Sequence, residues 1–139
     1  KTLGECSNIC NIRSSIIGEE QQNKRSLLEW VKSNKDSVVN GYTNYFWNGI
    51  TCLQMAKVIN KIIDEELIWD GIRHIFSPSK VSKFDLVNLI NETYGLNILI
   101  KPYDLPKSID RTLSSIYSYD YGIPEISKQI KDLFKWENE

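Results

Sequence analysis

The sequence predicts an α/β fold, and three observations carry that prediction. Strand-like apolar runs alternate with helix-like periodic stretches from one end to the other. Two capping boxes, Ser26–Glu29 and Thr51–Gln54, mark helix starts: the hydroxyl can cap a backbone N–H three residues on, and the acid or amide can reach back. The run from Ile9 to Ile17, apolar at 9, 10, 12, 16 and 17, is near-continuous, which suits a strand covered on both faces, as in a parallel sheet.

Residues 1–6 read as the tail of a helix, too short to stand alone. Within the following strand, Arg13-Ser14-Ser15 would be costly to bury unpaired. The triplet is therefore expected at the strand's carboxyl end, where open α/β sheets place their ligands. After a polar stretch, Ser26 starts a helix with Leu27, Leu28 and Val31 on one face, fading by Asn34. Val38 and Val39 begin a short strand ending at Gly41. The Thr51 box opens a helix over about 52–66 whose apolar stripe is Leu53, Ala56, Ile59 and Ile63, widened by Met55, Val58 and Ile62. Ile72 to Phe76 is a strand carrying His74. Ser82 caps a third helix with Leu86, Val87, Ile90 and Tyr94 inward and Gly95 as its stop. Ile98 to Tyr103 is a strand, and Pro102 places it at an edge or strand end. Leu105 to Asp120 is irregular. Pro124 opens a last helix at the first-turn position it favours, with Ile126, Ile130, Leu133 and Phe134 inward.

With 139 residues the chain can build one domain with a real core. Its 41% apolar and 25% charged residues are those of a soluble globular protein. A net charge of -1 gives no reason to expect nucleic acid or an anionic membrane as partner. No apolar run approaches the roughly 20 residues of a membrane span, and no signal peptide opens the chain. Cys6, Cys10 and Cys52 with the one histidine, His74, fall short of a tightly spaced four-ligand zinc site. The expectation is three reduced, mostly buried thiols in a cytoplasmic protein, with no metal. The first residue is Lys1, so the chain reads as processed or as a piece of something longer.

All seven glycines are isolated, so neither a P-loop nor a dinucleotide fingerprint is present. His74 in a strand reads as structural, and Asp64-Glu65-Glu66 as a solvated run. Asp110-Arg111 is either a loop-stabilising ion pair or an anion clamp, since the arginine fork donates two parallel hydrogen bonds to phosphate. The stretch Tyr42 to Thr51 places rings beside side-chain amides. It is either a surface turn folded onto the core or a shelf for a flat polar ligand.

Several motifs in order carry a resemblance. Lys1-Thr-Leu-Gly-Glu5 is similar to the sequence after the catalytic tyrosine in extended short-chain dehydrogenases/reductases, where Tyr-x-x-x-Lys runs into Gly-Glu. Asn11-Ile-Arg-Ser-Ser-Ile-Ile-Gly18 resembles their next strand. Leu27–Val31, Gly41–Asn44, Trp47–Thr51, Ser82–Leu86 and Asp110–Leu113 complete a pattern like that of the dTDP-4-dehydrorhamnose reductase branch. Ile16 stands where those reductases usually carry Trp, and Trp47-Asn48 and Ile50-Thr51 where they favour Asp-Gln and Pro-Thr.

The resemblance implies the C-terminal portion of such an enzyme. Residues 1–18 would be the tail of the Rossmann half, which is otherwise absent, and 19–139 the substrate-binding domain. It implies hydride transfer from NADP or NAD (as NAD(P)H) to a keto carbon of a nucleotide-linked 4-keto-6-deoxy sugar. Lys1 would hold the nicotinamide ribose and lower the pKa of a tyrosine lying before it. Ser15 and Ile16 would border the cofactor; Ser14, Ser15, Trp47, Asn48 and Arg111 would meet the substrate, with Arg111 at the diphosphate. A homodimer is compatible with the full-length enzyme. Alternatives are an epimerase or dehydratase of the same superfamily, and a binding module without catalysis.

Overall fold

The strand-like run at the start of the chain breaks in two at Ser14-Ser15, and each half joins a different ladder. In the computed structural model residues 8–139 are described; the helix tail, Lys1 and Cys6 lie outside them. β1 (Cys10–Arg13) pairs parallel with β6 (Gly71–His74), aligning Arg13 with His74. β2 (Ile16–Ile17) pairs parallel with β5 (Ile50–Thr51), aligning Ile16 with Ile50. The Arg13–Ser15 triplet thus sits at the carboxyl end of β1, as expected. The run is not covered on both faces, however: Ile16 is 53% exposed and Ile9 is also exposed. β1 and β2 have one partner each, and the half-buried Ile12 packs against the cluster that contains Val58 and Ile62.

β3 (Val38–Tyr42) pairs parallel with β8 (Leu99–Tyr103), Gly41 lying opposite Pro102. Gly41 is required there: a Cβ would stand 2.7 Å from the Phe84 ring and 2.8 Å from Ile100. β4 (Tyr45–Trp47) lies between β7 (Val81–Ser82), antiparallel, and β9 (Ile109–Asp110), parallel. The segment expected to be irregular therefore contributes one short strand, β9.

Four helices cover these ladders: α1 (Leu27–Ser33), α2 (Cys52–Asp64), α3 (Lys83–Tyr94) and α4 (Ile126–Glu137). Ser26, Thr51 and Ser82 each accept a backbone N–H three residues on, as read from the sequence. The return half of the first two boxes comes from elsewhere. Ser26 N donates to the Glu20 carboxylate at 3.1 Å, and Thr51 N donates to Gln129 Oε1 at 3.1 Å. Gly95 closes α3 in the left-handed conformation, φ 61°. Pro124 does not occupy the first turn of α4; Glu125 is the N-cap and the proline precedes it.

The larger core joins α1, α3, α4 and β3 through Leu28, Val31, Val39, Leu86, Ile90, Ile130 and Leu133. Each such side chain contributes roughly 1.5–3 kcal/mol on burial. A smaller core lies under α2, where Ile50, Val58, Ile62 and Ile75 meet. The buried face of α2 is Gln54, Val58 and Ile62, whereas Ala56, Ile59 and Ile63 point outward. The predicted central stripe is rotated, because a helix apolar on two overlapping rows satisfies the period from either. Cys10 and Cys52 are exposed free thiols, not buried ones, since one begins an outer strand and the other the first turn of α2.

Candidate functional site

Gly49 marks the point where the predicted residues converge. A Cβ there would stand 2.0 Å from the Ser15 carbonyl oxygen and 2.2 Å from the Trp47 ring, so only glycine lets these segments meet. Ile50 N donates to that same carbonyl at 2.9 Å. The Trp47 indole N–H donates to Ser15 Oγ at 2.7 Å. The Ser15 hydroxyl accepts this bond and keeps its own proton available among the described residues. Ser14 Oγ donates to the Ile75 carbonyl at 2.7 Å, tying the end of β1 to the chain leaving β6. Ile16 presents an exposed apolar side chain beside them.

Asn48 is buried, and its amide is engaged within the protein. Nδ2 donates to the Leu113 carbonyl at 2.9 Å and Oδ1 accepts from Leu113 N at 2.7 Å, which imitates a strand pair. A buried polar chain continues behind it. Ser77 N donates to the Asn48 carbonyl at 2.7 Å, and Ser77 Oγ donates to the Gly49 carbonyl at 2.6 Å. Gln129 Nε2 then donates to Ser77 Oγ at 2.8 Å and to the Pro124 carbonyl at 2.7 Å. Gln129 lies on the apolar face of α4 between Ile126 and Ile130. A glutamine on that stripe is the one sequence signal for this network, and it is easily passed over beside the apolar residues that flank it.

Ser14, Ser15, Ile16, Trp47 and Asn48 are thus brought together where β1 and β4 end and β2 begins. Arg111 follows β9 and is anchored by its backbone N–H, which donates to the Phe46 carbonyl at 3.0 Å. Its guanidinium is exposed and forms no hydrogen bond or ion pair among the described residues. The Asp110 carboxylate instead accepts Thr112 N at 2.8 Å, and bonds from Thr112 hold it below the usual carboxylate range. Of the two readings of Asp110-Arg111, the internal ion pair is not formed. Tyr42 lies apart, beside Tyr103 at a ring separation of 6.1 Å, and lines an open groove with Trp30 and Lys83. Lys1 is outside the described residues.

Beyond the end of β6 lies a cavity of about 150 Å³ lined by Arg73, His74 and Ile75 on one side and Ser115, Tyr117 and Tyr121 on the other. Burial pushes the Tyr121 phenol up, against the lowering effect of Arg73. Tyr119 donates to the Glu65 carboxylate at 2.7 Å, fastening this segment to the end of α2. Sequence reading missed Arg73, since its partners come from a segment with no periodic signal.

The described residues share the fold of the C-terminal half of extended short-chain dehydrogenases/reductases. Among solved structures, the chain is similar to a dTDP-4-dehydrorhamnose reductase from Clostridium acetobutylicum ATCC 824 (TM-score 0.70, 13% identity, covering 94% of this chain and 49% of that one). It is similar to the dTDP-4-dehydrorhamnose reductase of Bacillus anthracis str. Ames in complex with NADP (TM-score 0.68, 13% identity, 94% and 48% covered). It also matches the dTDP-glucose 4,6-dehydratase of the same strain in complex with NAD (TM-score 0.55, 10% identity, 93% and 43% covered). At these identities the likeness is one of fold, and the chain spans about half the length of the structures it matches. No family model and no curated protein matches the chain. No helix among the described residues is long and apolar enough to cross a membrane.

Proposed function

We propose that this chain is the substrate-binding C-terminal part of an NAD(P)-dependent reductase of nucleotide-linked 4-keto-6-deoxy sugars, acting in the cytoplasm in deoxysugar biosynthesis. The supporting observation is the meeting of Ser15 and Trp47 at Gly49, just beyond the carboxyl ends of β1 and β4, each of which has a parallel partner, where α/β sheets bind ligands. In this reading residues 1–18 finish a Rossmann half and 19–139 form the substrate domain.

The residues present fit one edge of a nicotinamide. Ile16 offers an exposed apolar surface, and Ser15 offers a hydroxyl fixed by Trp47 with a proton still to donate. When bound, the reduced cofactor supplies a hydride to the keto carbon. Lys1 holds the ribose and, as a nearby cation, lowers the pKa of a tyrosine that delivers the balancing proton. Ser14 and Ser15 orient the sugar, and the Trp47 ring gives it a flat wall. Asn48 acts through Leu113, setting the course of the segment that carries Arg111. Arg111, with its fork unengaged, takes the diphosphate.

The test is a pair of substitutions in a protein where this chain follows a Rossmann half. Lys1→Ala should depress turnover of a 4-keto-6-deoxy sugar nucleotide with NADPH far more than Lys57→Ala, whose surface contact with Asp132 at 3.4 Å contributes little. Equal effects would overturn the assignment of Lys1. The fold shared with the 4,6-dehydratase keeps an epimerase or dehydratase as the second reading. Net consumption of one NADPH per product marks the reductase, because neither alternative oxidises the cofactor overall.

A further inference from the structure

Arg73 is the least satisfied charged side chain in the tyrosine-lined cavity. Its guanidinium carbon stands 3.5 Å from the centre of the Tyr117 ring and 5.4 Å from that of Trp69. Its Nε is buried without a hydrogen-bond partner, and no carboxylate pairs with it among the described residues. Asp120 also lines the cavity, but its carboxylate accepts Gly122 N at 2.7 Å and forms no ion pair with Arg73. Ring contacts return about 0.5–2 kcal/mol to a cation. Leaving a buried donor of a charged group unmet costs about 1–3 kcal/mol or more. The rings therefore orient the fork without satisfying it. Ser115 stands opposite, its oxygen accepting Tyr117 N at 3.0 Å and its hydroxyl proton left to donate.

We propose that this cavity is a phosphoryl-binding site in which Arg73, set close over the Tyr117 ring and near that of Trp69, takes the anion with help from Ser115. Its volume of about 150 Å³ holds one phosphate group and little more. Arg111 is not among its lining residues. The site depends on the cavity alone and stands apart from the reductase reading.

The experiment titrates the chain with inorganic phosphate at constant ionic strength and follows the Arg73 Nε–H resonance by NMR. A saturating shift with a single site is expected. Arg73→Gln should weaken phosphate binding by about tenfold or more, and Arg73→Lys, which keeps charge but not the stacked fork, by less. Lys57→Gln should leave it unchanged. A resonance that phosphate does not move, or equal affinity in Arg73→Gln, overturns the site; the first readout needs no variant and survives a substitution that unfolds the chain. A dTDP arm then identifies the source of the group. Competition with phosphate at Arg73 would make the site a nucleotide diphosphate's, and simultaneous binding would make it a separate phosphate's; either result requires the site to exist.

Discussion

Gln129 on α4 accepts the backbone N–H of Thr51 at 3.1 Å across 78 residues of chain, with both residues buried. The bond joins the C-terminal helix to the start of α2, and through Ser77 the same amide reaches the Gly49 carbonyl. One side chain thus holds in register the loop on which Ser15, Trp47 and Asn48 converge.

Gln129→Leu keeps a similar volume and removes the three bonds that the Gln129 amide makes, to Thr51, Ser77 and Pro124. Thr51 N–H would be left buried and unpaired, costing about 1–3 kcal/mol, and the part-buried Pro124 carbonyl would lose its partner. A loss of about 3 kcal/mol or more is expected in urea unfolding, a large share of the roughly 5–15 kcal/mol typical of a domain. A loss below about 1 kcal/mol would mean that the network is dispensable.

Two glycines should respond to alanine for different reasons. At Gly49 the new methyl meets the Ser15 carbonyl oxygen and the Trp47 ring inside any possible contact distance. Overpacking of this kind costs about 3 kcal/mol or more and should separate β2 from β5. Gly122 has open space around it but a φ of +67°, so alanine there meets only backbone strain, about 1–2 kcal/mol. Thermal melts of the two variants should rank Gly49→Ala well below Gly122→Ala; the reverse order would contradict the close approach at Gly49.

The Trp47–Ser15 bond is best isolated by a double-mutant cycle. Trp47→Phe removes the indole donor, and Ser15→Ala removes its acceptor. The coupling energy should be about 1 kcal/mol, since each single change breaks the same bond. Coupling near zero would show that the serine hydroxyl is not positioned by the indole.

How much of this was legible in the sequence depended on how local each cause was. The start of α3 at Ser82 and its end at Gly95 were readable because cap and stop act within a few residues. The face of α2 was not, because two apolar rows lie side by side on that helix and only the partners Ile12 and Ile75 decide between them. The convergence of Ser14, Ser15, Trp47 and Asn48 could be anticipated from strand ends and from the family pattern. The reason for it could not: Gly49 shows its necessity only once the Ser15 carbonyl lies against it. Gln129 and Arg73 stayed hidden because their roles depend on residues tens of positions away.

The end of α4 should make stability fall at high pH. The Glu137 carboxylate accepts hydrogen bonds from Tyr94 Oη at 2.8 Å and Lys32 Nζ at 3.4 Å, and Lys32 stands 4.7 Å over the Tyr94 ring. Burial first, then the bond to Glu137 and its charge, pushes the Tyr94 phenol well above its usual range. For Lys32, burial alone would lower the ammonium, but Glu19 and Glu137 outweigh it and the net shift is upward. Both groups are raised in the folded state. Their contribution is therefore complete below the unfolded values, near about pH 10 for tyrosine and about 10.4 for lysine, and is lost as pH climbs toward the folded ones. Melting temperature should hold steady from about pH 7 to about 9.5 and then decline. Glu137→Gln should lower stability at about pH 7 by about 1 kcal/mol through the lost charge-assisted bonds. It should also bring the Tyr94 phenol down, though not to the ordinary value, because burial remains the largest cause. Tyr119 and Tyr121 are raised as well, so tyrosinate absorbance read against pH is taken as the difference from Tyr94→Phe; the Tyr94 component should titrate late in the parent and move to lower pH in Glu137→Gln. An unmoved titration would remove Glu137 from the account.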